Sequence, residues 1–312
     1  MIEKAIQNLI LGKGDELKAY LEEVHFNVPI PNTKAIAHCH FVQLDGNGRP
    51  RVNDFVNYIA TKTLEYSIPR TEIAKAKEYY EKHKSPSKLS ELDVKAKKLF
   101  TDITNTGEGG EILLYILVQE FLKIPQLFCK MPLKTNPQMH YHGVDGIHAE
   151  YDSTADMLAL YWGESKIYEK LPLAITNCFK SLKEYLQVAG GSDAPQERDL
   201  QLVKDNLDLN DSKLEDAIKK YFDKGDPLFN KMQYRGVCLI GFDCDKYPTP
   251  NQINSSQLKA LITAEVNNWH TSLEKGIKKH THLDTFVIHV FLVPFPSAET
   301  FRQEFLKALS LK

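Results

Sequence analysis

The chain predicts a mixed α/β fold, a sheet of parallel and antiparallel strands covered by helices on both faces. Three observations carry that expectation. Strand-like and helix-like runs alternate through the second half, the order that lays helices over a largely parallel sheet. The run Leu158-Ala159-Leu160-Tyr161-Trp162-Gly163 is apolar without interruption, as a central strand is. At 312 residues and 42% hydrophobic composition, the chain is large enough to bury a core on each side of such a sheet.

Taken in order, Met1–Val24 reads as an amphipathic helix pair broken at Gly12-Lys13-Gly14. Ala35–Leu44 alternates as a strand and runs into the turn Asp45-Gly46-Asn47-Gly48. A calcium-loop reading of that turn fails, because its twelfth position would be Val56 rather than an acid. Val52–Tyr66 has helical period, and Arg70–His83 forms a charged helix after Pro69. Lys84-Ser85-Pro86-Ser87-Lys88 has linker composition, which divides the chain into a smaller α+β region, 1–88, and a larger domain, 89–312.

The larger domain opens with Ile112–Leu122, a helix apolar nearly all round and therefore buried. Leu127–Leu133 and Tyr141–Ala149 read as strands, Glu150–Ala155 as a polar turn, and Met157–Tyr168 as the next strand. Leu171, Ile175, Cys178, Phe179, Leu182 and Leu186 fall at helical spacing. A Gly/Ser/Asp/Pro loop over Ala189–Gln196 leads to helical patterns at Glu197–Leu207 and Asp211–Phe222. Then come a strand Gly236–Phe242, a helix Ser255–Ile277 with a serine cap, a strand Thr285–Val293 and a helix Ala298–Leu309.

Chemistry concentrates where the apolar run ends, at Glu164-Ser165-Lys166. Side chains on a strand alternate faces, so Glu164 and Lys166 project together. If the segment carrying Asp145 pairs antiparallel with that strand, its carboxylate reaches the same place. Glu111, in the first turn of the buried helix, supplies a third acid where the helix dipole tolerates negative charge. Glu108 is read as a helix N-terminal acid. Carboxylates suit Mg²⁺, a hard cation that prefers oxygen ligands. A lysine beside them can stabilise charge growing on phosphorus. Such a constellation suits phosphodiester hydrolysis, with Mg²⁺, or alternatively Mn²⁺, held by Asp145, Glu164 and Glu111.

The order helix-Glu, strand, strand-Asp, strand-Glu-x-Lys resembles the PD-(D/E)xK nuclease superfamily. Gly110-Glu111-Ile112-Leu113-Leu114, His142-Gly143-Val144-Asp145-Gly146-Ile147-His148 and Leu160-Tyr161-Trp162-Gly163-Glu164-Ser165-Lys166-Ile167-Tyr168 carry the likeness. These stretches are similar to the HamA family within it, nuclease subunits of the Hachiman anti-phage defence system. Tyr66-Ser67-Ile68-Pro69-Arg70 adds a weaker likeness. Val144 stands where the superfamily has proline, a position at which it varies. The resemblance implies a restriction-endonuclease-like core, catalytic Asp145, Glu164 and Lys166 with Glu111 completing the site, and a superfamily 2-type helicase partner, HamB. DNA is the implied substrate.

A net charge of −2 argues against a chain that grips DNA unaided, since phosphate contacts dominate non-specific affinity. The clusters Lys95-Lys97-Lys98, Lys219-Lys220 and Lys275-Lys278-Lys279 read as solvated helix faces, so the partner is expected to bring the substrate. Residues 1–88 are the candidate partner interface. The five cysteines are scattered without a Cys-x-x-Cys pair, which excludes a zinc ribbon or a disulfide framework. No apolar run approaches the about 18 residues of a membrane span, and the expected location is the cytoplasm.

Two alternatives stand beside the nuclease. One is a catalytically vestigial nuclease-fold subunit serving as a DNA-binding or scaffold protein, against which the retained lysine argues. The other is a hydrolase using a carboxylate pair for acid/base work, against which Lys166 also argues, since it would depress the acids. His38-Cys39-His40 and His140-Tyr141-His142 lack a third ligand at zinc-like spacing and read as structural or exposed. His148 has either a supporting role beside the site or a structural one. Trp162 and Tyr161 read as core and wall, and Asp243-Cys244-Asp245 as the start of a loop.

Overall fold

The computed structural model describes residues 2–12, 16–100, 107–133, 145–187 and 195–310. Helix α1 is Ile2–Gln7, and strands β1 (Leu21–Pro29) and β2 (Ala35–Val42) form a hairpin. Four helices follow: α2 (Val52–Thr61), α3 (Thr63–Ser67), α4 (Arg70–His83) and α5 (Ser87–Lys97). Next come α6 (Glu108–Leu117), β3 (Gly146–Asp152), β4 (Met157–Tyr168), α7 (Leu171–Leu186), α8 (Pro195–Asn206) and α9 (Ser212–Tyr221). The chain ends in β5 (Met232–Asp243), α10 (Ser255–Lys278), β6 (Ile288–Phe295) and α11 (Ala298–Ala308).

The strands form one sheet in the order β1-β2-β6-β5-β4-β3. Its centre, β2-β6-β5-β4, is parallel, and an antiparallel neighbour closes each side. This is the expected mixed sheet, and β1 and β2, which precede residue 88, belong to it. Alternation sorts side chains to two cores. Leu158, Leu160 and Trp162 of β4 face α7 and α10 together with Cys238, Ile240, Val290 and Leu292. Ala159 and Tyr161 face α2, α6 and α11 with Val237, Leu239, Phe291 and Val293. Because β4 and β5 are buried on both faces, they read as continuous apolar runs, as parallel strands do.

Several local expectations need correction. Residues after Glu16 do not continue a helix; a single 3-10 turn, Leu17–Ala19, leads into β1. Leu21, Val24 and Val28 sit at spacings a helix also satisfies, but pairing with β2 over Leu21↔Val42 to Pro29↔Ile36 decides for the strand. Leu127–Leu133 forms no strand: Gln126 makes one bridge to His148, and Met131–Leu133 is a 3-10 turn. Residues Glu150–Asp152 complete β3, so the turn is shorter than expected. Of the Tyr141–Ala149 strand, residues 141–144 lie outside the described residues. The cap of α10 is Asn254, whose side chain accepts from Gln257 N while Gln257 Oε1 accepts from Asn254 N. Asp243, at the end of β5, has its carboxylate accept from Ala298 N and so fixes the start of α11. Among the described residues no helix is long and apolar enough to cross a membrane.

Candidate active site

The acids gather at the end of the β3–β4 pair. Asp145 N donates to Gly163 O at 2.8 Å, extending the pairing Gly146↔Gly163 by one residue and setting Asp145 opposite Glu164. Glycine at 163 suits this close pairing, because a Cβ there would crowd the β3 backbone at 3.0 Å from Gly146 O and 3.2 Å from Gly146 N. Asp145 Oδ2 accepts from Ser165 N at 2.6 Å and from Ser165 Oγ at 2.7 Å, so the aspartate is held against β4 by two hydrogen bonds. Two residues from Glu164, Lys166 donates through Nζ to Glu164 Oε1. Glu164 and Lys166 thus share a side, as strand alternation requires, whereas the Asp145 carboxylate is bonded to Ser165, the residue between them.

Glu111 comes from the first turn of α6, where it is the one residue of that helix not buried. Its Oε2 accepts from Tyr66 OH at 3.0 Å and lies 3.0 Å from Lys130 Nζ. Lys130 Nζ also stands 3.9 Å from Asp145 Oδ1 and so links the two acids. Glu108 is buried in the same first turn. Tyr66 and Lys130 thus stand beside these acids; Tyr66 opens the Tyr66–Arg70 stretch of weaker family likeness, but no periodicity gives either residue a role. Lys130 sits in a segment without regular structure, clamped from two sides. Leu127 N donates to Ile147 O at 3.0 Å and Ala149 N to Pro125 O at 3.1 Å, while Arg70 Nη2 reaches Gln126 O at 3.3 Å and Cys129 Sγ reaches Ile68 O at 3.3 Å. The signal that could have found Lys130 is a lone lysine within a stretch otherwise rich in Pro, Leu, Phe, Cys and Met.

Burial governs the electrostatics. Glu164 is 4% exposed, and burial, followed by repulsion from Asp145, pushes its pKa up to about 8 despite Lys166. Asp145 is raised for the same reason, with Glu111 the chief repelling charge and Lys130 and Lys166 opposing. Burial works to lower the pKa values of Lys130 and Lys166, but Glu111 and Asp145 around the first and Glu164 and Asp145 around the second outweigh it, and both are raised. Both lysines therefore stay charged. The Tyr66 hydroxyl is held well above its ordinary value by burial and then by Glu111 and Asp145, so it remains a donor.

Among the described residues, no three acids, histidines or cysteines already stand together in a set that would hold a metal ion. The donor chemistry nevertheless fits a hard divalent cation: of the three carboxylates, Asp145 and Glu164 are raised first by burial and then by a neighbouring acid, Glu111 for Asp145 and Asp145 for Glu164, so added positive charge stabilises them.

Other residues singled out from the sequence lie elsewhere. His38 and His40 are fully buried on β2, and His38 Nε2 meets His289 Nδ1 at 2.9 Å. His140, Tyr141 and His142 lie outside the described residues. His148 is fully buried, its Nδ1 3.2 Å from Ile124 O, where it ties the Lys130 segment to β3. Trp162 stacks on Tyr185 inside the core, and Tyr161 donates to Glu150 at 2.5 Å.

The HamA family matches residues 18–309 of the chain. No curated protein matches it.

Proposed function

Because the chain belongs to the HamA family, and so to anti-phage defence of the Hachiman type, we propose that it is the nuclease of such a system, a Mg²⁺- or Mn²⁺-dependent deoxyribonuclease controlled by a helicase partner in the cytoplasm. One observation carries this reading: Asp145 and Glu164 face each other across β3 and β4, with Lys166 bonded to Glu164 and Glu111 one lysine away.

In this reading Asp145, Glu164 and Glu111 would hold the divalent ion, which when bound would polarise the phosphoryl oxygen and make a nearby water more acidic. Ser165 keeps Asp145 oriented through its N–H and hydroxyl, and Tyr66 does the same for Glu111. Lys166, whose ammonium is the more exposed of the two, offers positive charge to the phosphate as water adds and the ester oxygen leaves.

The test is plasmid degradation with Mg²⁺, with and without the helicase subunit. Mg²⁺-dependent cleavage that disappears with chelator supports the nuclease. A chain inert with Mg²⁺, Mn²⁺ and partner alike would instead be a nuclease-fold scaffold.

A further inference from the structure

We infer that Lys130 is a built-in counter-cation occupying the gap between Glu111 and Asp145, and that a divalent ion binds only as the Lys130 ammonium leaves it. This rests on the metal-dependent reading above.

The placement argues for it. Lys130 is 6% exposed, its Nζ 3.0 Å from Glu111 Oε2 and 3.9 Å from Asp145 Oδ1. Those are two of the oxygens expected to ligate metal. A dication on the same oxygens would sit within a few ångströms of the ammonium, and unit charges that close repel strongly in a site shielded from water. Lysine is suited to yielding, because its charge is a point at the end of a flexible four-carbon stem. Beside the stem lies a cavity of about 10 Å³ lined by Gln126, Phe128, Lys130 and Gly146, with Asp199 of α8 on another wall. The stem thus borders a small opening, about the size of one water, whose wall carries the Asp199 carboxylate, itself bonded to Arg198 Nε at 3.2 Å.

The backbone around Lys130 adds a constraint. His148, Ile147, Arg70 and Ile68 hold residues 124–129 from both sides, so the side chain rather than the segment must move. Lys166 differs, with its side chain 24% exposed against 7% for Lys130, and it can turn outward without crossing the site. The consequence is a nuclease whose acids are neutralised at rest. Affinity for metal is set by competition with an internal charge rather than by the carboxylates alone.

The experiment is calorimetric titration with Mn²⁺, without DNA, of wild type, Lys130→Met, Lys130→Arg and Glu164→Gln. Lys130→Met is expected to bind Mn²⁺ on the order of tenfold more tightly than wild type, Lys130→Arg no more tightly, and Glu164→Gln not at all. Without metal, Lys130→Met should melt lower than wild type, and Mn²⁺ should raise its melting temperature by more. Should that variant fail to fold, Lys130→Gln, which keeps a donor for Glu111, carries the same expectation. Equal or weaker Mn²⁺ binding in the neutral variants, with binding still lost in Glu164→Gln, overturns the role of Lys130 and leaves the metal site standing. Absence of binding in wild type and neutral variants alike, or unchanged binding in Glu164→Gln, overturns the metal reading and this inference with it.

Discussion

Tyr66 donates its hydroxyl hydrogen toward Glu111 Oε2 at 3.0 Å, and the same hydroxyl lies 3.3 Å from the backbone oxygen of Asp145. One phenol thus spans the helix and the strand that bring their acids together, although 45 positions separate it from Glu111 and 79 from Asp145. Tyr66→Phe should remove that tie while keeping the ring packed against Tyr115 and Phe100. The expected cost is about 1 kcal/mol of stability, with a larger relative loss of cleavage because Glu111 is no longer oriented. Denaturant melts and cleavage rates on the same preparation check it. A variant less stable but equally active would make Tyr66 structural only.

Glu164→Gln and Asp145→Asn should each abolish cleavage and divalent binding without unfolding the chain. The raised carboxyls supply the reason: burial, then repulsion from Glu111 on Asp145 and from Asp145 on Glu164, already disfavours their charged forms, so a neutral side chain at either position removes that cost. Melting temperatures at or above wild type, together with flat calorimetric titrations, are the expected pair of results. Normal metal affinity in both variants would remove these residues from the site.

Lys166→Ala should bind metal at least as tightly as wild type, since a positive charge leaves the site, yet cleave orders of magnitude more slowly. Single-turnover rates at saturating Mn²⁺ separate the two effects. Near-normal rates there would reduce Lys166 to a structural partner of Glu164.

Acid should destabilise the fold below about pH 6.5, the ordinary histidine value. Burial holds His38 down at about 2, with His289 and His40 adding to the effect, and holds His40 at about 3 and His148 and His289 at about 4. Their folded-state values lie below the unfolded ones, so the unfolded chain binds more protons as pH falls. Stability is therefore complete above the unfolded value and is lost as pH falls from 6.5 through each folded value, to about 4 for His148 and His289 and further for His40 and His38, by up to about 1.4 kcal/mol per pH unit per ring. Neither ring nitrogen of His40 has a hydrogen-bond partner among the described residues, and its ring lies on Phe121 with centroids 4.3 Å apart. His40→Leu should flatten the acid slope by about one proton, read from denaturant melts at stepped pH. An unchanged slope would show that His40 is not neutral in the fold.

How much of this was legible beforehand differs by residue, for physical reasons. The strand Met157–Tyr168 and the helix Arg70–His83 have the bounds read from pattern, because a long apolar run and a proline-started helix are local signals. Asp145, Glu164 and Lys166 follow from strand alternation, another local rule. Tyr66 and Lys130 reach the site through tertiary contacts, α3 against the start of α6 and an irregular segment against β3, and no periodicity marks them. Residues 21–24, which pattern assigns to the N-terminal helix pair, belong to β1, because a hairpin edge whose apolar residues also fit a helix is decided only by its partner.

Control of the nuclease should come from assembly. Three of the eight lysines in the basic runs are engaged with carboxylates: Lys95 with Glu72 at 2.6 Å, Lys97 with Asp93 at 2.9 Å and Lys278 with Glu274 at 2.7 Å. With a net charge of −2, such a chain has little to attract a phosphate backbone on its own. The helicase is then expected to hold the nuclease inactive, and ATP-driven translocation to deliver DNA or release it. Residues 1–88 are the proposed contact. Because docking would hold the inactive form, weakening that contact at surface positions away from Tyr66 should raise partner-independent cleavage rather than lower it. DNA degradation is compared for the isolated chain, the complex, and the complex with ATP and DNA ends. If the complex cuts intact plasmid as fast without ATP as with it, and the isolated chain is slower than both, restraint is excluded and the helicase is an activator.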